Sequence, residues 1–201
     1  MDDDLQPPAS SAMAIAIGFF FSFRAIIPLF SVRILGTEPR TGAEVSLALT
    51  LFLLGLVCFH SAGPGSRSWR SMFALSSVRW VLVFLAFSCC SLAWSETVSL
   101  PTSFAYWSGM AADVAIVALL LHTGSVTVVS HSLMKGFIWS TCCLALIAWI
   151  MPTQADLRLG DEEFFNTNQI GNLCAFAILL VQYLMRRKDG KWGLATQRLP
   201  I

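Results

Sequence analysis

What most limits the fold open to this chain is a recurrence of long apolar runs separated by short polar punctuation. An α-helix rises 1.5 Å per residue and the hydrocarbon core of a bilayer is about 30 Å thick, so one crossing takes about 20 mainly apolar residues. Six stretches meet that condition, at residues 13–34, 42–61, 79–96, 104–123, 133–151 and 169–186. The expected fold is all-α, a polytopic transmembrane bundle with about six helices in this chain. With 56% hydrophobic and only 12% charged residues, and a mean hydropathy of +0.68, the 201 residues are too apolar for a soluble domain. A lipid bilayer is the expected surrounding, and no nucleic-acid partner is expected.

Three parts follow from this pattern. Residues 1–12, "MDDDLQPPASSA", form an acidic N-terminus. A secretory signal would carry a basic n-region and a small-residue cleavage site, so the first helix is expected to be retained. Residues 13–186 form the transmembrane domain. Residues 187–201 form a basic segment that ends as apolar character returns, which reads as the approach to a further helix in a longer protein. No internal repeat supports an inverted-repeat transporter. The linkers "LGTEPRTG", "SAGPGSRSWRS" and "SETVSLP" carry the punctuation of turns and leave no room for a soluble domain. Cysteines 58, 89, 90, 142, 143 and 174 all fall in or beside apolar runs without metal-type spacing, and read as small buried hydrophobes.

Orientation follows from the basic residues. With a cytoplasmic N-terminus and six crossings, the inner connections hold Arg67, Arg70, Arg79, Lys135, Arg186, Arg187, Lys188, Lys191 and Arg198. The outer ones hold Arg33, Arg40 and Arg158. This is the bias of the positive-inside rule, with both ends of the chain cytoplasmic. The longest outer connection then contains "LRLGDEEFFNTNQIGN", residues 157–172, the densest polar stretch in the chain.

Several residues invite chemical readings. Arg24 sits inside the first apolar run, where a lone charge costs at least about 2.5 kcal/mol. Asp113, at similar depth in the fourth run, is its expected partner in a structural ion pair; a polar pathway is the alternative. Arg33, Arg40 and Arg158 lie on the outer side against the charge bias, and the planar guanidinium matches phosphate oxygens in pairs. They are candidates for holding a diphosphate, with headgroup contact as the plainer role. Asn168 is placed to cap a helix starting near Gln169, and Gly160 and Gly171 permit tight turns. Asp161, Glu162 and Glu163 read either as metal ligands or a general base, or as a solvated acidic loop. His60, His122 and His131 fall toward the cytoplasmic side, away from that loop. Trp94, Tyr106 and Trp107 read as an aromatic belt at the outer interface.

Two stretches together resemble bacterial O-antigen ligases and related polysaccharide polymerases. "SLAWSETVSLPTSF", with Trp94 and Ser95 leaving a helix on the outer side, is similar to a tryptophan–serine signature early in that family. "RLGDEEFFNTNQIGNLCAFAILL" is similar to the start of its core region, with Arg158, Gly160 and Asn168 on an Arg, Gly and Asn pattern. The resemblance covers about residues 80–185. Thr167 stands where the family usually has proline, and the Gly to Asn separation is longer than usual. Resemblance implies a bundle of roughly 10 to 14 helices, of which this chain is the N-terminal portion, without the later outer loop that bears further arginines and a histidine. It implies a glycosyltransferase of the bacterial inner membrane that moves a glycan from undecaprenyl diphosphate to lipid A core or another polysaccharide acceptor at the periplasmic face. No cofactor or metal is implied. The residues expected to bind diphosphate or glycan are Arg158, Gly160, Asn168, Arg33 and Arg40. The competing expectation is a non-enzymatic small transporter or membrane assembly subunit.

Overall fold

A computed structural model describes residues 8–36, 38–61, 76–94, 99–150 and 166–188, and all the regular structure among them is helical. The elements are α1 (Pro8–Phe23), a 3-10 segment (Arg24–Ile26), α2 (Ile27–Arg33), α3 (Pro39–Ser61), α4 (Ser76–Ser91), α5 (Leu100–Thr123), α6 (Val126–Ile150) and α7 (Thr167–Lys188). Five rods are long and apolar enough to cross a bilayer: Ser11–Val32, Thr41–Ser61, Ser103–Thr123, Val126–Ile150 and Thr167–Arg186. The protein is a multi-pass membrane protein.

The rods begin and end where local chemistry dictates. The first is one span interrupted at Arg24. Pro28 has no N–H to give the carbonyl of Arg24, four residues back, and its ring crowds that carbonyl. The Arg24 carbonyl accepts instead from the N–H of Ile27, three residues on, which is the bonding of a 3-10 turn. The rod stops where Phe30 O accepts from both Ile34 and Leu35, and the chain leaves through Gly36 at φ 64°, a left-handed conformation that glycine adopts without penalty. Ser99 is extended and Pro101 sits in the first turn of α5, where its missing N–H is not needed. α6 starts at Val126, seven residues before the expected 133, because no breaker follows the Gly124–Ser125 turn. α4 ends at Ser91 rather than near 96. Leu92, Ala93 and Trp94 continue it only as a tightened turn, donating to the carbonyls of Cys89, Cys90 and Ser91.

Hydroxyls within these apolar rods bond to their own backbone. Thr50 donates to Ser46 O, Thr141 to Phe137 O, Thr123 to Leu120 O and Ser108 to Ala105 O, all at 2.7–2.9 Å. In hydrocarbon no water offers an alternative partner.

The chain divides into two compact units, one of residues 1–11 with 38–129 and the other of residues 12–37 with 130–201. In the first, α3 packs along α5, with Leu47 in van der Waals reach of Gly109. Among its buried apolar residues are Val57 on α3, Leu85 on α4, and Ala112, Ile116 and Leu120, which form a stripe at four-residue intervals on α5. α4 packs on α5 far more sparingly and leaves most of its apolar side chains exposed. One polar link joins them, from Trp107 Nε1–H to Leu85 O at 3.1 Å.

In the second unit, α1 and α6 meet backbone to backbone. A Cβ on Gly18 would overlap the carbonyl of Leu133, and one on Gly136 would overlap the carbonyl of Ile15. Small residues at such a crossing let two helices approach closely in lipid, where packing rather than water expulsion drives association. Beside it, Ser22 and Thr141 hydroxyls are hydrogen bonded at 3.0 Å. The Thr141 proton is committed to Phe137 O, so Ser22 is the donor. Farther along, Ile26, Leu29, Leu144, Ala148 and Ile170 form a buried cluster that ties in α7.

Two expectations are corrected here. None of the six cysteines is buried: Cys58, Cys90 and Cys142 are exposed and Cys89, Cys143 and Cys174 half-buried, all as free thiols. In a bilayer an outward face is still apolar, so a thiol needs no interior to avoid water. Trp107 is half-buried and hydrogen bonded inside its unit rather than part of an outward belt, because an indole N–H below the interface needs an acceptor. Trp94 and Tyr106 do remain exposed.

Candidate functional site

The second unit gathers three helix ends at one end of a small bundle. Leu29 lies one turn before the end of α2, Ala148 lies just before the end of α6, and Ile170 lies in the first turn of α7, and all three share the same cluster. Phe23, Ala25, Ile147, Leu173 and Cys174 pack around it. The cluster therefore brings the α2 terminus with Arg33, the α6 terminus at Ile150 and the α7 start to one face. Ile150 and Asn166, the described residues nearest one another across residues 151–165, both belong to that end of the unit.

The start of α7 is built by Asn166. Its Oδ1 accepts from Gln169 N–H at 3.0 Å, and its backbone carbonyl accepts from Ile170 N–H at 3.1 Å. Asn166 is thus the cap, correcting the expectation for Asn168, which lies exposed within the first turn. The helix starts at Thr167, two residues earlier than foreseen, because the cap is Asn166 rather than Asn168. With the cap taken by Asn166, the side chains of Asn168 and Asn172 stand exposed on the first turns of α7. These amides offer both donors and acceptors, the chemistry that sugar hydroxyls match.

Arg33 is the last residue of α2; its side chain lies outside the described residues. Of the diphosphate candidates, Arg33 and Asn168 therefore belong to helix turns at the same end of this unit. Arg40 falls in the first turn of α3, in the other unit, with its side chain outside the described residues. Arg158, Gly160 and the acidic run Asp161, Glu162 and Glu163 lie outside the described residues, as does Ser95. Trp94 belongs to the first unit and packs edge-on against Phe87, with ring centroids 6.2 Å apart. Among the described residues no group of three or more His, Cys, Asp or Glu side chains could hold a metal ion.

Arg24 and Asp113 fall in different units, and both are half-buried. The Arg24 guanidinium lies 5.8 Å from the centroid of the Phe21 ring, a cation–π contact worth about 0.5–1 kcal/mol or more when desolvated. His131 meets the Tyr183 ring edge-on at 6.4 Å. That pair sits at the far end of the second unit, roughly 28 Å along α6 from Ile150 at 1.5 Å per residue.

In comparisons with known proteins, no family model matches the chain, and no curated protein or solved structure matches it. The likeness to O-antigen ligases accordingly rests on the two quoted stretches. Sequence reasoning missed the cap at Asn166 and the cluster that joins three helix ends. For the first, the signal was available in Asn166 standing three residues before Gln169.

Proposed function

We propose that this chain is an O-antigen ligase-like glycosyltransferase, or the part of one that forms the outward end of its membrane bundle. The observation that carries the proposal is the convergence of the α2 end, the α6 end and the Asn166-capped start of α7. The stretch of sequence bearing Arg158 and Gly160 joins two of these ends, and Arg33 and Asn168 belong to the helix turns found there. A lipid-linked diphosphate donor keeps its reacting bond at the membrane surface, where cations at helix ends can reach it. Negative charge grows on the departing diphosphate as the sugar is transferred, and guanidinium groups held in place stabilise that charge. In this reading Arg158 and Arg33 contact the diphosphate. Asn168 binds glycan hydroxyls, and Gly160 lets the backbone come close to the substrate. The substrates are an undecaprenyl diphosphate-linked glycan and an acceptor lipid or glycan, and the setting is the outer face of the bacterial inner membrane with both chain ends cytoplasmic.

A second reading is favoured by the break at Arg24. An interrupted helix carrying an intramembrane cation is a feature of substrate and ion sites in transporters. There the chain would be a small transporter or an assembly subunit acting through Arg24 and Asp113.

One set of strains separates the two. In cells whose surface polysaccharide depends on the native gene, Arg158→Ala at unchanged protein level is expected to abolish that polysaccharide, and Asp113→Asn to leave its banding pattern intact. Normal polysaccharide in Arg158→Ala would sink the transferase role of that arginine. Loss of transport or assembly in Asp113→Asn, with normal glycans, would establish the second reading.

A further inference from the structure

α4 is the expected crossing that falls short of the others, an apolar helix of only Val78–Ser91. The direction of α1 relative to α6 decides whether it crosses. At the crossing itself Ile15, Gly18 and Phe19 meet Leu133 and Gly136 without showing direction, but from there the contacts advance to Ser22 with Thr141 and on to Ile26 and Leu29 with Leu144 and Ala148, so α1 and α6 run parallel. α6 and α7 show the opposite: His131 meets Tyr183 while Leu144 and Ala148 meet Ile170, one number falling as the other rises.

Two parallel spans enter the bilayer from the same side. The chain between the end of α2 and the start of α6 must then cross an odd number of times. α3 and α5 provide two crossings. Residues 62–75 contain Gly63, Pro64, Gly65, Arg67 and Arg70, and residues 95–98 are too few, so neither stretch can supply a third. We infer that α4 is a complete sixth crossing, independent of what reaction the protein performs.

Its length and surface agree. The helix from Val78 to Ser91, extended by the tightened turn through Trp94, reaches roughly 26 Å at 1.5 and 2.0 Å per residue. That is a few ångströms below the usual hydrocarbon thickness, a mismatch that local thinning of the bilayer absorbs at small cost. Trp80 and Trp94 stand 69% and 65% exposed at its two ends, as interfacial anchors do. Between them Val81, Leu82, Val83, Phe84 and Phe87 are exposed, a surface suited to acyl chains. α4 therefore carries Arg79 at one end and Trp94 at the other to opposite sides of the membrane.

The test is sided labelling of the full chain in intact cells and inverted vesicles. Single-cysteine variants Ser66→Cys and Ser99→Cys, in a background with the six native cysteines replaced by serine or alanine, are treated with a membrane-impermeant maleimide. Opposite sidedness of the two positions is expected, with Ser125→Cys on the side of Ser66→Cys. Labelling of both from one side would overturn the inference. Should the cysteine-free background fail to accumulate, protease sites inserted after Ser66 and after Ser99 in the native chain give the same decision by sided cleavage. Polysaccharide synthesis plays no part in this readout, so its outcome is separate from that of the transferase proposal.

Discussion

At the scale of single residues, the most consequential side chains in the second unit are the two that are missing. Gly18 and Gly136 each face a backbone carbonyl of the neighbouring helix, so an added Cβ has only main chain to displace. Gly55 and Gly171 have open space around them. Overpacking a tight contact costs roughly 1–3 kcal/mol, whereas alanine for glycine in an open helical position removes a helix penalty of up to about 1 kcal/mol. Gly18→Val and Gly136→Val are therefore expected to lower the thermal midpoint of the detergent-solubilised protein, and Gly55→Ala to leave it equal or raised. Equal midpoints for all three would mean that the two helices do not approach as closely as Leu133 and Ile15 indicate. The hydrogen bond of Ser22 to Thr141 adds less, since side-chain bonds between membrane helices average about 0.6 kcal/mol. Close packing is what holds this crossing.

At the scale of elements, α7 shows how far one residue sets a boundary. Asn166→Ala removes the acceptor for Gln169 N–H and should cost about 1 kcal/mol, within the range for lost caps. Asn168→Ala, beyond the cap and exposed, should cost almost nothing. Amide exchange at Gln169 and Ile170 reads the difference: faster exchange in Asn166→Ala alone is expected, and equal acceleration in both variants would return the cap to Asn168. The existence of the rods was legible because about 20 apolar residues in sequence have few other solutions in a bilayer. Their ends were less so. α6 began earlier than its apolar run because Thr127, Ser130 and His131 are polar without breaking a helix, and α4 ended earlier because a tightened turn replaced its last helical residues. The meeting of the helix ends that bear Arg33 and Asn168 was beyond the sequence, since it depends on Leu29, Ala148 and Ile170 packing together across more than a hundred residues of chain. Periodicity reports that a residue is buried and leaves its partner unnamed.

At the scale of the whole molecule, the spans are of unequal length, and a bilayer cannot match them all. α6, with 25 residues, reaches about 37 Å at 1.5 Å per residue, while α4 with its terminal turn reaches about 26 Å. A membrane of ordinary thickness therefore leaves the ends of α6 in water or headgroups and draws the ends of α4 inward, a strain of fractions of a kcal/mol per ångström. The consequence is local and measurable. After reconstitution in phosphatidylcholine of increasing acyl length, a single cysteine in place of the exposed Ala93 should be labelled by a water-soluble maleimide in 14-carbon lipid. In 22-carbon lipid that labelling should be lost. Ile150→Cys, at the exposed end of α6, should be labelled in both. Persistent labelling of Ala93→Cys in the thick bilayer would mean that α4 holds the membrane thin against its lipids, rather than yielding to them. The anchors decide between these outcomes: Trp80 and Trp94 resist being pulled below the interface, and replacing both with leucine should let Ala93→Cys bury at a shorter acyl length.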